Sequence, residues 1–420
     1  MLNLLNYSFP LNGRDNSNFL EASMLARHRW YYYKEGFSPS LVQHAINEYN
    51  LGEKSNILDP FNGSGTVTLT SSQNNIQSTG IEVNPFTAFV AESKTLSTKQ
   101  KLFEETFEKV YEKLISSNPS SPLENYSTFS EPSGKNKWLF NLDILRSFSS
   151  GLAEVQNSNS SYGRLLKLIL LSSIMEVSNA RKDGKCLRYR PNWKSKPFTR
   201  DDFVNTYIKN YIRFSEDLEE SKILVKPNIL NLDSREIDKI GTSKYDLIIT
   251  SPPYLNTFDY TDIYRPELFL GGFLSTHDDL YKLRHKTLRS HIQVNWLKPT
   301  IDTNECILLL DIFKKLDKDH TKLMDKKIPL MVLAYFEDMK LIFQKLAKLT
   351  KKGGHFWLVV SNSAYANIEV PVDLILADIA SKNGWVLSEI GVLRNIQKRK
   401  TRHSPEISTL RESVIILEKK

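Results

Sequence analysis

A doubly wound, mostly parallel α/β sheet is the fold this sequence predicts, and three observations predict it. Short β-type runs alternate with helical patterns along most of the 420 residues, the order expected when crossover helices cover both faces of a parallel sheet. One run, DLIIT at 246–250, is apolar enough to be buried on both faces. Another ends in a turn carrying Gly63 and Gly65, where a strand hands over to a helix and backbone can approach a ligand without a Cβ in the way.

Seven strands follow in order. The first is SNILDPF, ending near Phe61; then come TGIEVN at 79–84, PNILNLD at 227–233 and YDLIITSPPY from Tyr245. HFWLVVSNS begins at His355, announced by a helix ending in KKGG. The last two, GWVLSEIGVL and ESVIILEKK, are close enough to be antiparallel neighbours. Two stretches interrupt the alternation. Residues 97–225 form an insertion that opens with an amphipathic helix, Phe103, Phe107, Val110, Tyr111 and Leu114 sharing a face, followed by a Ser, Pro and Asn-rich linker at 116–137. A second insertion, 255–327, mixes aromatics with Lys, Arg and His. The α/β domain is thus read as 1–96 plus 226–420.

Composition narrows the function classes. Lys plus Arg exceed Asp plus Glu, 56 to 48, for a net charge of +8, which suits a polyanionic partner such as nucleic acid. Cys186 and Cys306 are the two cysteines, and neither has Cys or His at ligand spacing; no zinc site or disulfide framework is expected, no histidine is assigned to a metal, and a reducing cytoplasm fits. No apolar run reaches the roughly 18 residues of a membrane span, and the N-terminus lacks the basic region of a signal peptide.

The turn DPFNGSGT, Asp59–Thr66, can be a tight strand-to-helix connection or a ligand site. Glu82, about 20 residues on and at the end of the next strand, favours a ligand, because an acid there can accept hydrogen bonds from ribose hydroxyls. No Lys-Ser/Thr pair follows the glycines, so a nucleoside without a triphosphate is the expected ligand. TSPPY, Thr250–Tyr254, leaves the buried strand. Consecutive prolines fix φ and remove donors, leaving carbonyls free to accept. A Ser251 hydroxyl and a proline carbonyl can accept the protons of an exocyclic amine, a poor nucleophile while conjugated to its ring. Tyr254 offers a flat face for a base extruded from a duplex.

Together these motifs resemble the S-adenosylmethionine-dependent DNA amino-methyltransferases, and the resemblance spans most of the chain. It implies the Rossmann-like fold of these enzymes, S-adenosyl-L-methionine as cofactor, and Asp59, Phe61, Gly63 and Gly65 around its amino-acid moiety, with Thr66 closing that motif. Glu82 would hold the ribose. Asp233 would lie near the adenine amine, although an Asp at a strand end also reads as a helix cap. The segment 27–43, RHRWYYYKEGFSPSLVQ, resembles the family's tenth motif, placing Phe37 and Pro39 at the methionine end; a docking helix is the other reading. Ser251, Pro252, Pro253 and Tyr254 would be catalytic, and SPPY in this family is typical of cytosine-N4 enzymes, DPPY or NPPY of adenine-N6 enzymes. Neither cysteine sits where a cytosine-C5 nucleophile would. The glycine motif precedes SPPY, which departs from the commoner order in SPPY enzymes, and the candidate target-recognition region is the insertion 97–225, which holds the basic stretch 181–200.

The stretch 181–200 carries eight basic residues against one acidic, interleaved with Tyr189, Trp193 and Phe198. It reads either as a solvated loop or as a nucleic-acid contact through Arg181, Lys185, Arg188 and Arg190. RNIQKRKTRH, 394–403, a loop between the last two strands, adds Lys398 and Arg399. The resemblance implies duplex DNA as partner, a restriction-modification setting and a cognate endonuclease. The rivals are a DNA adenine-N6 enzyme, an RNA guanine-N2 methyltransferase, which would usually read DPPYG and carry a separate N-terminal RNA-binding module, and a catalytically silent DNA-binding module.

Overall fold

Ile57 and Leu58 are neighbours in one short strand and both fully buried, yet they belong to different cores. Side chains alternate between the faces of a strand, so this strand is covered on both sides. The same holds for Leu247, Ile248 and Ile249 of DLIIT. The structure, a computed structural model, describes residues 5–11, 13, 18–183, 186–397 and 406–420. Lys185, Lys398 and Arg399 lie outside the described residues.

Its strands are β1 (Leu5–Asn6), β2 (Asn56–Asp59), β3 (Gln77–Ile81), β4 (Ala180–Asp183), β5 (Cys186–Tyr189), β6 (Asn228–Leu230), β7 (Tyr245–Thr250), β8 (Thr350–Ser361), β9 (Ser363–Tyr365), β10 (Ile368–Val370), β11 (Trp385–Gln397) and β12 (Thr409–Lys419). Eight form one sheet in the order β1-β11-β12-β8-β7-β2-β3-β6. β8, β7, β2, β3 and β6 run parallel. β12 is antiparallel to both β8 and β11. The seven strands expected from sequence are all present, and β1 adds an eighth, two residues long and parallel to β11; so short a segment carries no periodicity to read.

Capping chemistry starts the first helices. Ser38 accepts from the Leu41 N–H and Pro39 opens α1 (Pro39–Glu48), while α2 (Thr66–Gln73) leaves the glycine turn. Asn84 accepts from the Phe86 N–H, with Pro85 opening α3 (Pro85–Lys94). α1 and α2 cover one face of the sheet through Leu41, Val42, Ile46 and Val67.

Segment 97–225 folds as α4 (Gln100–Ser116), α5 (Leu142–Val155), α6 (Ser161–Glu176), the antiparallel hairpin β4–β5, and α7 (Arg200–Glu220), whose start has a Thr199–Asp202 capping box. Phe103, Phe107, Val110 and Leu114 of α4 are buried, with Tyr111 packed at the edge. This core includes Trp30, stacked on Phe214 at 4.3 Å between ring centroids, and Phe86, so the insertion shares its apolar interior with the sheet domain. The second insertion supplies α8 (Tyr260–Ile263), α9 (Arg265–Leu270), α10 (His277–Lys286) and α11 (Ile307–Lys318). With α12 (Ile328–Leu349) and α13 (Val372–Ser381), α11 covers the other face of the sheet.

Three local expectations change. The helix before β8 ends at Leu349, and KKGG belongs to β8, where Gly353 at φ 73 and a register shift absorb the irregularity. Arg394–Gln397 extends β11 instead of forming a loop, because these residues pair with 409–412 of β12. Residues 181–183 and 186–189 pair as antiparallel strands rather than forming a loop. Among the described residues no helix is long and apolar enough to cross a membrane.

Candidate active site

From β2 the chain moves outward through β3 to β6, then returns to β7 and continues to β8 on the other side. The boundary between β2 and β7 is therefore the topological switch point, where a crevice opens beyond the carboxyl ends of the strands. Asp59 ends β2 and Thr250 ends β7. The Thr250 hydroxyl donates to Asp59 Oδ1 at 2.5 Å, tying the glycine turn to the root of the SPPY loop.

A cavity of about 290 Å³ occupies this crevice. Asp59, Phe61, Gly63, Thr66, Glu82 and Asp233 line it, together with Phe37 and with Ser251, Pro252, Pro253 and Tyr254. Asp59 Oδ1 also accepts from the Phe61 N–H at 2.9 Å. Burial pushes the Asp59 carboxyl up to about 7, against the pull of the bonds from Thr250 and Phe61. Glu82 follows β3; its Oε2 accepts from the Gly63 N–H and its Oε1 from the Asn84 N–H, both at 2.8 Å. Burial raises this carboxyl also, although those bonds oppose it. Asp233 accepts from the Arg235 N–H at 2.9 Å and pairs with its guanidinium at 2.7 Å, so it caps a short turn and lines the cavity at once.

Two expected cofactor residues stand apart. Gly65, at φ 86, caps α2 in the left-handed region, and a Cβ on it would lie 2.8 Å from Ala91 Cβ of α3. Its smallness serves helix packing, and it does not line the cavity. Pro39 opens α1 and likewise stays out of the cavity. Gly63, at φ 50, is the closer fit to expectation, since its Cβ would meet the Tyr33 ring at 2.9 Å and both residues are in the wall.

The SPPY loop is held from three sides. The Tyr254 phenol donates to Glu412 Oε1 of β12 at 2.8 Å, and Arg394 Nε donates to Glu412 Oε2 at 2.5 Å. Burial, with the Glu412 charge beside it, raises the Tyr254 phenol well above its ordinary value. Its N–H lies 3.4 Å from the Tyr260 hydroxyl. The carbonyl of Leu255 accepts from Tyr365 at 2.7 Å and from Ser363 of β9.

An aromatic wall completes the cavity, and sequence reasoning did not single it out. Tyr33 stacks on Tyr264 at 5.4 Å, with Phe258 and Tyr260 beside them. The Tyr264 hydroxyl donates to Glu35, also in the wall. Behind it, Lys182 of β4 sits 3.8 Å from the Tyr264 ring centroid and pairs with Glu267 at 2.6 Å. The YYY run at 31–33 was a visible signal; Lys182 showed only as one charge of the basic stretch 181–200, and Glu412 had no signal.

The basic candidates divide. Arg181 and Arg188 face each other across β4 and β5 and are exposed; Arg188 also pairs with Asp183 at 2.5 Å. Arg190 is placed differently: Nε donates to the Ser178 carbonyl at 2.8 Å and NH2 to the Glu176 carbonyl at 2.9 Å, so its guanidinium closes the end of α6. Among the described residues no group of three His, Cys, Asp or Glu side chains could hold a metal ion.

No family model matches the chain. Against the Type II methyltransferase M.AvaI of Nostoc sp. (strain PCC 7120 / SAG 25.82 / UTEX 2576) it is 28% identical over 406 residues, covering 87% of this chain and 80% of that one. The chain is related to the Type II methyltransferases. A second Type II methyltransferase, M.BsoBI of Geobacillus stearothermophilus, is 27% identical over 453 residues, covering 93% of this chain and 85% of the relative. The likeness to Type II methyltransferases therefore takes in both the sheet domain and the insertions. Among solved structures, TrmN from Thermus thermophilus aligns at 10% identity with a TM-score of 0.33, over 96% of this chain and 53% of that one, a likeness too slight to argue from.

Proposed function

We propose that the chain is a site-specific DNA methyltransferase that carries a methyl group from S-adenosyl-L-methionine to the N4 amine of cytosine in duplex DNA, as the modification enzyme of a restriction-modification system in the cytoplasm. The observation that carries this reading is the meeting of the glycine turn and the SPPY loop on one cavity, joined by the Thr250–Asp59 bond. The kinship with Type II methyltransferases supports it.

The cavity suits a nucleoside with an amino-acid tail. Such a tail bears one charge of each sign, and the pocket offers the Asp59 and Glu82 carboxylates together with the start of α2, which no side chain caps. Asp59, Phe61, Gly63 and Thr66 would hold the tail, Glu82 the ribose, Asp233 the adenine and Phe37 the methionine end. The cofactor supplies an electrophilic methyl group on sulfonium. Ser251 and a proline carbonyl accept hydrogen bonds from the target amine, which draws its lone pair out of conjugation, the proton shed by the methylated nitrogen passes to solvent, and Tyr254 stacks on the extruded base while Glu412 fixes its hydroxyl. Segment 97–225 is the proposed target-recognition region. Arg181 and Arg188 would neutralise phosphates, and the exposed Lys194, lying over the Trp138 and Trp193 rings, adds basic and aromatic surface.

The test is incubation of unmethylated duplex DNA with purified protein and labelled cofactor, followed by digestion and separation of nucleosides. Label in N4-methylcytosine is expected. Label only in N6-methyladenine would overturn the base assignment and keep the class; label in RNA and never in DNA would overturn the class.

A further inference from the structure

Lys94, the last residue of α3, is fully buried. Its Nζ lies 3.3 Å from Ser64 Oγ and 5.6 Å from the Phe19 ring centroid, and no carboxylate among the described residues is within ion-pair distance. The charged groups packed around it are committed elsewhere. Glu92, on the same helix, pairs with Arg164 of α6. Arg27 spends its guanidinium on the carbonyls of Lys94, Leu96 and Ser221. Lys167 of α6 lies over the Phe89 and Phe273 rings. His28 is neutral, its ring pushed down to about 3 by burial and by Lys94 beside it, and α2 carries no ionisable residue. A buried cation with no counter-charge is costly.

Ser64 is the link to the cavity. It is 1% exposed yet lines that cavity. With its oxygen accepting from the lysine, its own proton is left for another acceptor.

We propose that Lys94, acting through Ser64, is the counter-charge for the carboxylate of the cofactor's amino-acid tail, and that it takes up a proton when that carboxylate arrives. This rests on reading the cavity as an S-adenosylmethionine pocket. Burial pushes the Lys94 amine down to about 7, so above that pH the free protein holds it largely uncharged. An anion at Ser64 favours the ammonium form and raises its pKa; the amine takes a proton from a buffer acid, which becomes its conjugate base. Binding then weakens as pH climbs above 7. Asp59 works in the opposite sense but lower on the pH scale, because the tail's ammonium favours its ionised form and drives a proton out only below about pH 7, where the free carboxyl still holds one. Lys94 is a positioning residue here, since it touches the ligand only through Ser64.

The experiment is titration calorimetry on the full chain at pH 8, in buffers of contrasting ionisation enthalpy. The two ligands are S-adenosylhomocysteine and 5′-methylthioadenosine, the latter lacking the amino-acid tail. At this pH the Asp59 carboxyl is already largely ionised, so in the otherwise unaltered chain S-adenosylhomocysteine should take up close to one proton more than methylthioadenosine, and Lys94→Met should abolish the difference. From pH 7 upward its affinity should fall by up to tenfold per unit, as expected for one linked proton, and Lys94→Met should flatten that fall. Equal proton uptake by the two ligands in the Lys94-containing chain would overturn the proposal even if Lys94→Met does not fold. Binding of neither ligand would overturn the nucleoside pocket itself, a separate failure.

Discussion

The Tyr254 hydroxyl and the Glu412 carboxylate, 158 residues apart in the chain, meet at 2.8 Å beneath the SPPY loop. The bond runs from the loop that follows β7 to the antiparallel strand β12, with Arg394 closing the far side of the carboxylate. It fixes the ring on which the target base is proposed to lie. Glu412→Gln keeps the shape but removes the charge that both neighbours use, and a hydrogen bond to a charged group contributes about 1.5–3 kcal/mol. The expected result is a turnover lowered roughly ten- to a hundredfold, with S-adenosylhomocysteine affinity within several fold of wild type. Unchanged turnover in steady-state methyl-transfer assays would remove Glu412 from the machinery.

Gly65→Val is expected to damage folding rather than binding. The left-handed backbone costs a non-glycine residue about 1–2 kcal/mol, and crowding against Ala91 adds about 1–3 kcal/mol. Ligand-free thermal melts should show a Tm lower by several degrees. Gly63→Ala presses on Tyr33 in the cavity wall, so it should weaken nucleoside binding more than it lowers Tm. A Gly65→Val protein of normal Tm that binds no cofactor would put Gly65 back in the wall.

Asp59 gives a pH signature in the ligand-free protein. Its folded value of about 7 exceeds the ordinary 3.8, so the folded state binds the extra proton and stability falls as pH rises from about 4 to 7. Asp59→Asn can still accept from Phe61 and Thr250 and has no charge to bury. Its Tm should exceed wild type at pH 8, by a free energy of at most about 4 kcal/mol, and the two should converge at pH 4. A gap that stays constant with pH would show that this carboxyl is not shifted.

Arg181 and Arg188 share the exposed face of the hairpin, whereas Arg190 holds the end of α6. Neutralising Arg181 and Arg188 together should flatten the slope of log K against log salt by roughly one to two units, at about 0.9 per lost phosphate contact. Arg190→Ala should lower Tm with a smaller change in slope. Reversal of those two outcomes in binding titrations would reverse the assignments.

The fold was legible wherever pattern is local. DLIIT announced a strand buried on both faces, and Gly63 to Thr66 announced a strand-to-helix turn, because periodicity and φ requirements act over a few residues. The pocket was legible in part, since Asp59, Glu82 and the SPPY loop each stand at strand ends that a parallel sheet brings together. Its supports were not. Glu412 reaches Tyr254 only through the register of β12, Lys94 meets Ser64 by helix packing, and neither leaves a mark on its neighbours in sequence. The placing of Arg190 was hidden for the same reason: a guanidinium bound to carbonyls and one open to solvent look alike until the end of α6 is in place.

The β4 strand divides its labour between adjacent residues. Arg181 faces outward, while Lys182 faces the Tyr31, Glu267 and Tyr264 cluster at the back of the cavity. Because the alternation is strict, outward positions of the hairpin can be exchanged without disturbing the wall, and exchanging Lys182 cannot avoid it. If the hairpin contacts DNA as proposed, its outward face can change without reshaping the cavity wall, provided the hairpin never gains or loses a single residue.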